Sequence, residues 1–149
     1  MNIPWQILVA SSDLESRRSL MQTLSRQGLD PIGVANLSEC DDVFGKEKVG
    51  LIFCDRHLAD GTYRDLLERI RARAERVRVV VTSRHPDWDE YLEAMRCGAF
   101  DVIASPCRPT DVEWMVIQAK RDDRNDAKDL LTATSREVPL HRAAAGGGA

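Results

Sequence analysis

Short apolar runs alternate with helical patterns along this chain. Ile7 to Ala10 is a continuous apolar run, as expected of a strand covered on both faces. Ser12-Asp-Leu-Glu15 follows with the spacing of a capping box. Leu14, Leu20, Met21 and Leu24 then form the apolar stripe of a helix, and Gly28 fits its stop. Ile32 to Ala35 reads as a second strand. Ser38-Glu-Cys-Asp41 opens a short helix that ends near Phe44 and Gly45. Val49 to Cys54 is a third strand, with Asp55 directly after it. Thr62-Tyr-Arg-Asp65 opens a helix carrying Leu66, Leu67 and Ile70. Val77 to Val81 is a fourth strand. Asp87-Trp-Asp-Glu90 opens the next helix, with Leu92 and Met95 as its stripe and Gly98 as its stop. Phe100 to Ala104 is a fifth strand. Thr110-Asp-Val-Glu113 opens the last helix, whose stripe is Val112, Val116 and Ala119.

Five strand–helix repeats predict a parallel sheet with right-handed crossovers and helices on both faces. The expected fold is α/β: a flavodoxin-like, doubly wound, five-stranded parallel sheet in the order 2-1-3-4-5. One domain covers residues 1–124. Beyond Arg124 the pattern fades. Asn125 to Leu131 extends the last helix, and the chain then ends in Ala-Ala-Ala-Gly-Gly-Gly-Ala, so residues 125–149 read as a helical extension and a disordered tail. No second, DNA-binding output domain is expected in the remaining length.

Composition narrows the class. The chain has 149 residues, 43% apolar and 30% charged, with net charge −3. That balance suits a globular domain with a real core and argues against a general nucleic-acid binder, which would be basic. No run of 18 apolar residues predicts a membrane-spanning helix. The start, Met-Asn-Ile-Pro-Trp, lacks the pattern of a secretory signal, so the cytoplasm is the expected location. Cys40, Cys54, Cys97 and Cys107 have no metal-ligand or redox spacing and read as structural.

Candidate chemistry gathers at the strand ends, where a doubly wound sheet keeps its crevice. Those ends carry Ser11 and Ser12, then Asp55, then Thr82, then Ser105. His57, His85 and His141 are scattered, with no paired nucleophile, so a hydrolytic triad is not predicted. The first strand–helix turn, Ala-Ser-Ser-Asp-Leu-Glu, lacks the glycines of a phosphate-cradling loop. Ser11 and Ser12 near a helix N-terminus still leave an anion binder open.

This set, with Gly98-Ala-Phe-Asp101 before the fifth strand and Ser105-Pro106 after it, resembles the receiver domain of bacterial response regulators. The resemblance runs from about Gln6 to Arg124. It implies two-component signalling and a module that is not an enzyme. It implies Asp55 as phosphoacceptor, Thr82 as the switch hydroxyl and Arg17 as the arginine often found early in the first helix. In the family, acids after the first strand and the acceptor hold Mg²⁺, a lysine binds a phosphoryl oxygen, and the switch hydroxyl moves inward on phosphorylation. Here Ser11 and Ser12 stand at the acid pair, Ser105 at the lysine, Val102 at the aromatic that follows the switch, Ala59 at a usual proline and Tyr63 at a usual glycine. With Asp55 and the His57 carbonyl left as ligands, Mg²⁺ binding is expected to be weak at best and no cofactor tightly held. Electrostatic donors at such sites are worth about 3–4 kcal/mol each, so phosphotransfer is expected to be slow or absent. Asp13 is either a compensating acid or a stabiliser of the first helical turn. Asp60 is a turn residue in Ala-Asp-Gly or a ligand. Thr82 either satisfies local backbone or meets Asp55.

The implied partner is a histidine kinase or another signalling protein, without nucleic acid or membrane. Trp88 and Tyr91 on the fourth helix, and Trp114 and Ile117 on the fifth, are offset from the buried stripes. They form either a partner or homodimer face built from the fourth helix, fifth strand and fifth helix, or the edge of the core. Two readings follow for the stand-alone domain. In one, Asp55 accepts a phosphoryl group inefficiently; in the other, Asp55 is vestigial and the domain binds partners regardless.

Overall fold

The computed structural model describes residues 3–73 and 75–133, with side chains through 124. The tail expected at the C-terminus falls largely on residues 134–149, outside the described residues. Among the described residues, one sheet holds β1 (Gln6–Ala10), β2 (Ile32–Val34), β3 (Val49–Asp55), β6 (Arg78–Ser83) and β7 (Asp101–Ala104), all parallel, in the order β2-β1-β3-β6-β7. Counted along the chain, that is the predicted 2-1-3-4-5. A small antiparallel pair, β4 (His57–Leu58) and β5 (Gly61–Thr62), forms the loop after β3. The helices are α1 (Leu14–Arg26), α2 (Leu37–Phe44), α3 (Tyr63–Ala72), α4 (Trp88–Arg96) and α5 (Pro109–Ala133). None of the described helices is long and apolar enough to cross a membrane.

The strands alternate their side chains between two packed layers, as the period of two requires. Ile7, Val9, Leu51, Phe53, Val80 and Ile103 face one layer, with Leu20 and Leu24 of α1 and Val112, Met115, Val116 and Ala119 of α5. Leu8, Ala10, Ile52, Cys54, Val79 and Val81 face the other, with α2, α3 and Ala94 of α4. Trp5 joins the first layer at 4% exposure, its indole lying flat where Gly50 has no side chain.

Several predicted starts move by one or two residues. Asp13, not Ser12, caps α1: its carboxylate accepts from the Ser16 N–H at 3.1 Å and the Ser16 hydroxyl at 2.5 Å. Leu14 thereby becomes the first helical residue and is 49% exposed instead of joining the buried stripe. Asn36, not Ser38, caps α2 by accepting from the Glu39 N–H at 2.8 Å. Asp60 completes that cap from a distance, accepting from Leu37 N–H at 2.8 Å and Ser38 N–H at 3.1 Å. So Asp60 is more than a turn residue: it joins the loop after β3 to the start of α2, and the Leu37 N–H foremost holds its carboxyl below the usual range. On α4 the buried residue is Ala94, while Met95 is exposed, because the helix lies on the sheet along a different line from the one its larger residues suggest. The capping box at Thr62 and Asp65 and the cap at Asp87 are as predicted.

At the amino end of β6, opposite the crevice, buried Arg78 pairs with Asp122 of α5 at 2.7 Å and lies 3.6 Å from Asp123. This charge contact fixes the middle of the long last helix against the sheet.

A Cβ on residue 50 would lie 2.2–2.6 Å from the Trp5 ring. Gly50→Ala is therefore expected to cost about 1–3 kcal/mol through overpacking. Urea denaturation checks this, and an unchanged midpoint would show that the indole does not rest on β3.

Candidate functional site

The site begins as a repeat in the strands. Val9-x-Ser11, Phe53-x-Asp55, Val80-x-Thr82 and Ile103-x-Ser105 each place a polar residue two positions after a buried apolar one. Two residues along a strand return to the same face. The four polar groups therefore rise from the α1/α5 face, directly beyond its apolar floor. Register does the rest: Ala10 lies opposite Cys54, so Ser11 comes level with Asp55, and Asp55 lies opposite Thr82.

Asp55 is held by those neighbours. Ser11 Oγ donates to Asp55 Oδ2 at 2.5 Å, and Thr82 Oγ1 donates to Asp55 Oδ1 at 2.5 Å. Ser11 is 2% and Thr82 4% exposed, whereas Asp55 is half-buried. Each hydroxyl has one proton to donate, and each spends it on the carboxylate. Ser11 is fixed in turn, since its backbone N–H donates to Val34 O at 3.0 Å and its carbonyl accepts from Arg17 Nη1 at 2.6 Å. Ser12 is exposed and makes no hydrogen bond to Asp55. Ser105 stands at the end of β7 before a cis bond to Pro106, its N–H donating to Ser83 O at 2.8 Å.

The crevice has a volume of about 570 Å³. It runs from Asp55 and Thr82 between the first turns of α1 and the β7–α5 loop, down to Val9, Leu20 and Phe53. Asp13 borders it, but the Ser16 hydroxyl first, and the Ser16 N–H next, hold its carboxyl below the usual range as a cap. Cys107 also lines it; burial foremost, then the Asp55 charge, pushes its thiol up to about 12, so it is no ready nucleophile. The donor set does not fit Mg²⁺. That ion prefers an octahedron of hard oxygens anchored by carboxylates. Both Asp55 oxygens already accept from hydroxyls, Asp13 is bound to its helix, and the other oxygens at the strand ends belong to neutral serines.

The predicted aromatic residues lie on two helices. Trp88 is 70% exposed and stacks on Tyr91 with ring centroids 5.5 Å apart. Trp114 is 50% exposed beneath the Arg121 guanidinium, 5.8 Å from its ring, and Ile117 is half-buried. Sequence reasoning missed Arg84 and His85 on the crevice rim, although they follow Thr82 directly and reading two residues further along that strand end finds them. It also missed the ion pairs that cross to α4, Arg56 with Glu90 at 2.9 Å and Arg64 with Glu93 at 2.8 Å. No spacing rule connects those residues before the fold is known.

A sheet of this order, with an aspartate ending the central strand and a hydroxyl beside it on the next, defines a receiver domain of two-component signalling. Residues 7–117 match the family model described as the response regulator receiver domain, and the chain belongs to that family. It is similar to the response regulator protein PilR of Pseudomonas aeruginosa, 28% identical over 122 residues that make up 82% of this chain and 27% of PilR. The chain thus spans under a third of that curated relative. Among solved structures, the receiver domain of the Francisella response regulator 1452 matches with TM-score 0.72 and 18% identity, over 79% of this chain and 98% of that one. The beryllofluoride-activated NtrC4 receiver domain dimer matches with TM-score 0.72 and 20% identity, over 78% and 97%. At these identities the two structures speak for the fold.

Ser11→Ala and Thr82→Val should each lower the unfolding free energy by about 1–3 kcal/mol, as expected for a hydrogen bond to a charged group. In an Asp55→Ala background both effects should shrink. A urea midpoint unmoved by either substitution would contradict the hydroxyl-held carboxylate.

Proposed function

We infer that this chain is an atypical receiver that works through protein–protein contact, with Asp55 at the phosphoacceptor position of a degenerate metal and phosphate site. The observation that carries this reading is the pair of hydroxyl bonds that occupies both Asp55 oxygens, where the family's chemistry needs acids and a lysine. With neutral serines at positions 11, 12 and 105, little remains to gather a metal or to neutralise a transferring phosphoryl group. Asp55 and Thr82 keep their family positions, so a slow transfer from a histidine kinase is the active form of this reading. The second form, a binding module independent of phosphorylation, is favoured by one contact: the Thr82 hydroxyl already lies on Asp55.

In this reading the domain is a signalling module in the cytoplasm, neither an enzyme nor a binder of nucleic acid or membrane. The receiver unit covers residues 1–124, and α5 continues to Ala133. Its partner face is the surface of α4, β7 and α5, for a signalling protein or a second copy. The exposed Trp88–Tyr91 stack and Trp114 support that face, since aromatic residues concentrate binding energy at interfaces. The NtrC4 neighbour, described as a dimer, supports the second copy.

Incubation with acetyl phosphate and Mg²⁺, read by intact mass, tests the chemistry. Little or no phosphoryl adduct is expected. A stoichiometric adduct that Asp55→Asn abolishes would overturn the degenerate-site reading. Trp88→Ala combined with Trp114→Ala should weaken self-association by about tenfold or more, the loss of one modest hot spot. Sedimentation equilibrium unchanged by the pair would remove this face from the proposal.

A further inference from the structure

Arg17, at the end of the first turn of α1, gives its guanidinium to a neutral group. Its Nη1 donates to the Ser11 carbonyl at 2.6 Å. Among the described residues it joins no ion pair. The nearby Asp13 carboxylate is taken up by the Ser16 N–H and hydroxyl. A hydrogen bond with an ionised donor is roughly twice as strong as a neutral one, so this contact is a firm anchor. Gly33 on β2 leaves room for it. A Cβ at residue 33 would lie 2.4 Å from Met21 Sδ and 3.4 Å from Arg17 Cδ. Gly33 does not have a positive φ, so space and not conformation explains the glycine. The Ser11 peptide is thereby held on both sides. Its N–H donates to Val34 O at 3.0 Å, and β2 ends at Val34, so the Ser11 carbonyl meets a guanidinium instead of a further strand residue. Between the two anchors, the serine hydroxyl donates to Asp55 Oδ2 at 2.5 Å. With its backbone fixed, serine keeps one soft angle, χ1, and only a few staggered positions for its Oγ.

We propose that Arg17 is a positioning residue for Asp55: by holding the Ser11 carbonyl it keeps the Ser11 hydroxyl on Asp55 Oδ2, and so ties the first turn of α1 to the Asp55 carboxylate. Thr82 holds the other oxygen from β6, with no contact to Arg17. Loss of the guanidinium therefore releases Oδ2 and leaves Oδ1 bound. The tie works in both directions. A displacement of α1 loosens Asp55, and a change at Asp55 that moves Ser11 pulls on α1 through the same two bonds. The proposal rests on the reading that hydroxyls, and not a metal, hold Asp55.

The test follows the Asp55 carboxyl carbon by NMR in the full chain, at neutral pH with EDTA. Ser11→Ala is expected to move the Asp55 resonance. Arg17→Met is expected to move it in the same direction, by about half as much or more, while the Asp60 carboxyl at the start of α2 stays in place. In a Ser11→Ala background Arg17→Met should add nothing further. That comparison separates an effect carried by Ser11 from the mere loss of a nearby positive charge. The positioning role is overturned if Ser11→Ala moves the resonance and Arg17→Met does not, or if Arg17→Met still moves it in the Ser11→Ala background. Should Arg17→Met fail to fold, Gly33→Val decides, because it crowds the Arg17 stem and keeps the charge. It is expected to shift the Asp55 resonance in the same sense, and a resonance left in place overturns the proposal. A resonance unmoved even by Ser11→Ala overturns the hydroxyl-held reading itself, and the Arg17 role with it.

Discussion

The parallel pairing of β3 with β1 on one side and β6 on the other is the constraint on which the site depends. A parallel ladder has no local turn to set its register, so register is fixed by which residues must be buried. Here the fully buried runs of three neighbouring strands set it. A slip of one residue would turn Val9, Phe53 and Val80 out of the α1/α5 layer and move every side chain to the wrong face. The register that saves the core also brings Ser11, Asp55 and Thr82 level. Burial drives the alignment, and the three polar groups are carried along by it. The hydrogen bonds among them then close the strand ends.

Much of this was legible in the chain, and the reasons are specific. Continuous apolar runs announced the strands because both faces of the sheet are covered. The Thr62 and Asp65 box was legible because both of its partners are local. The misplaced caps share one cause. Ser12 and Ser38 carry hydroxyls at suitable spacing, but Asp13 and Asn36, nearby, cap instead. Spacing alone cannot rank two adjacent capping residues. Asp60 was less legible still, because its partners are backbone groups some 20 residues earlier in the chain. The polar residues at the strand ends were found by position. Their contacts were not, since whether Thr82 meets local backbone or Asp55 depends on a rotamer that sequence does not encode.

In the proposed reading, serines in place of acids change the character of the site more than its shape. A carboxylate gathered with other carboxylates needs a cation to be tolerable, whereas one gathered with hydroxyls is satisfied by dipoles. The first arrangement is responsive, because the cation comes and goes. The second is settled, because its partners are covalently part of the sheet. The fold itself rests on the two apolar layers and not on the charge at the strand ends.

The contacts that cross to α4 have a consequence for time rather than for structure. Arg56 reaches Glu90, Arg64 reaches Glu93, and Arg71 donates to the Cys97 carbonyl at 3.3 Å, so α4 is moored at three points along its length to the segment that starts at the end of β3. Each mooring is partly exposed and individually weak. Together they oppose rolling of a helix whose buried contribution to the core is a single alanine. On the proposed partner face, a protein docking on the Trp88–Tyr91 stack would meet a surface already arranged and have less disorder to remove on binding. The benefit of such preparation falls on how long a complex lasts more than on how often it forms. In a signalling domain, lifetime is the quantity that sets how long a message persists.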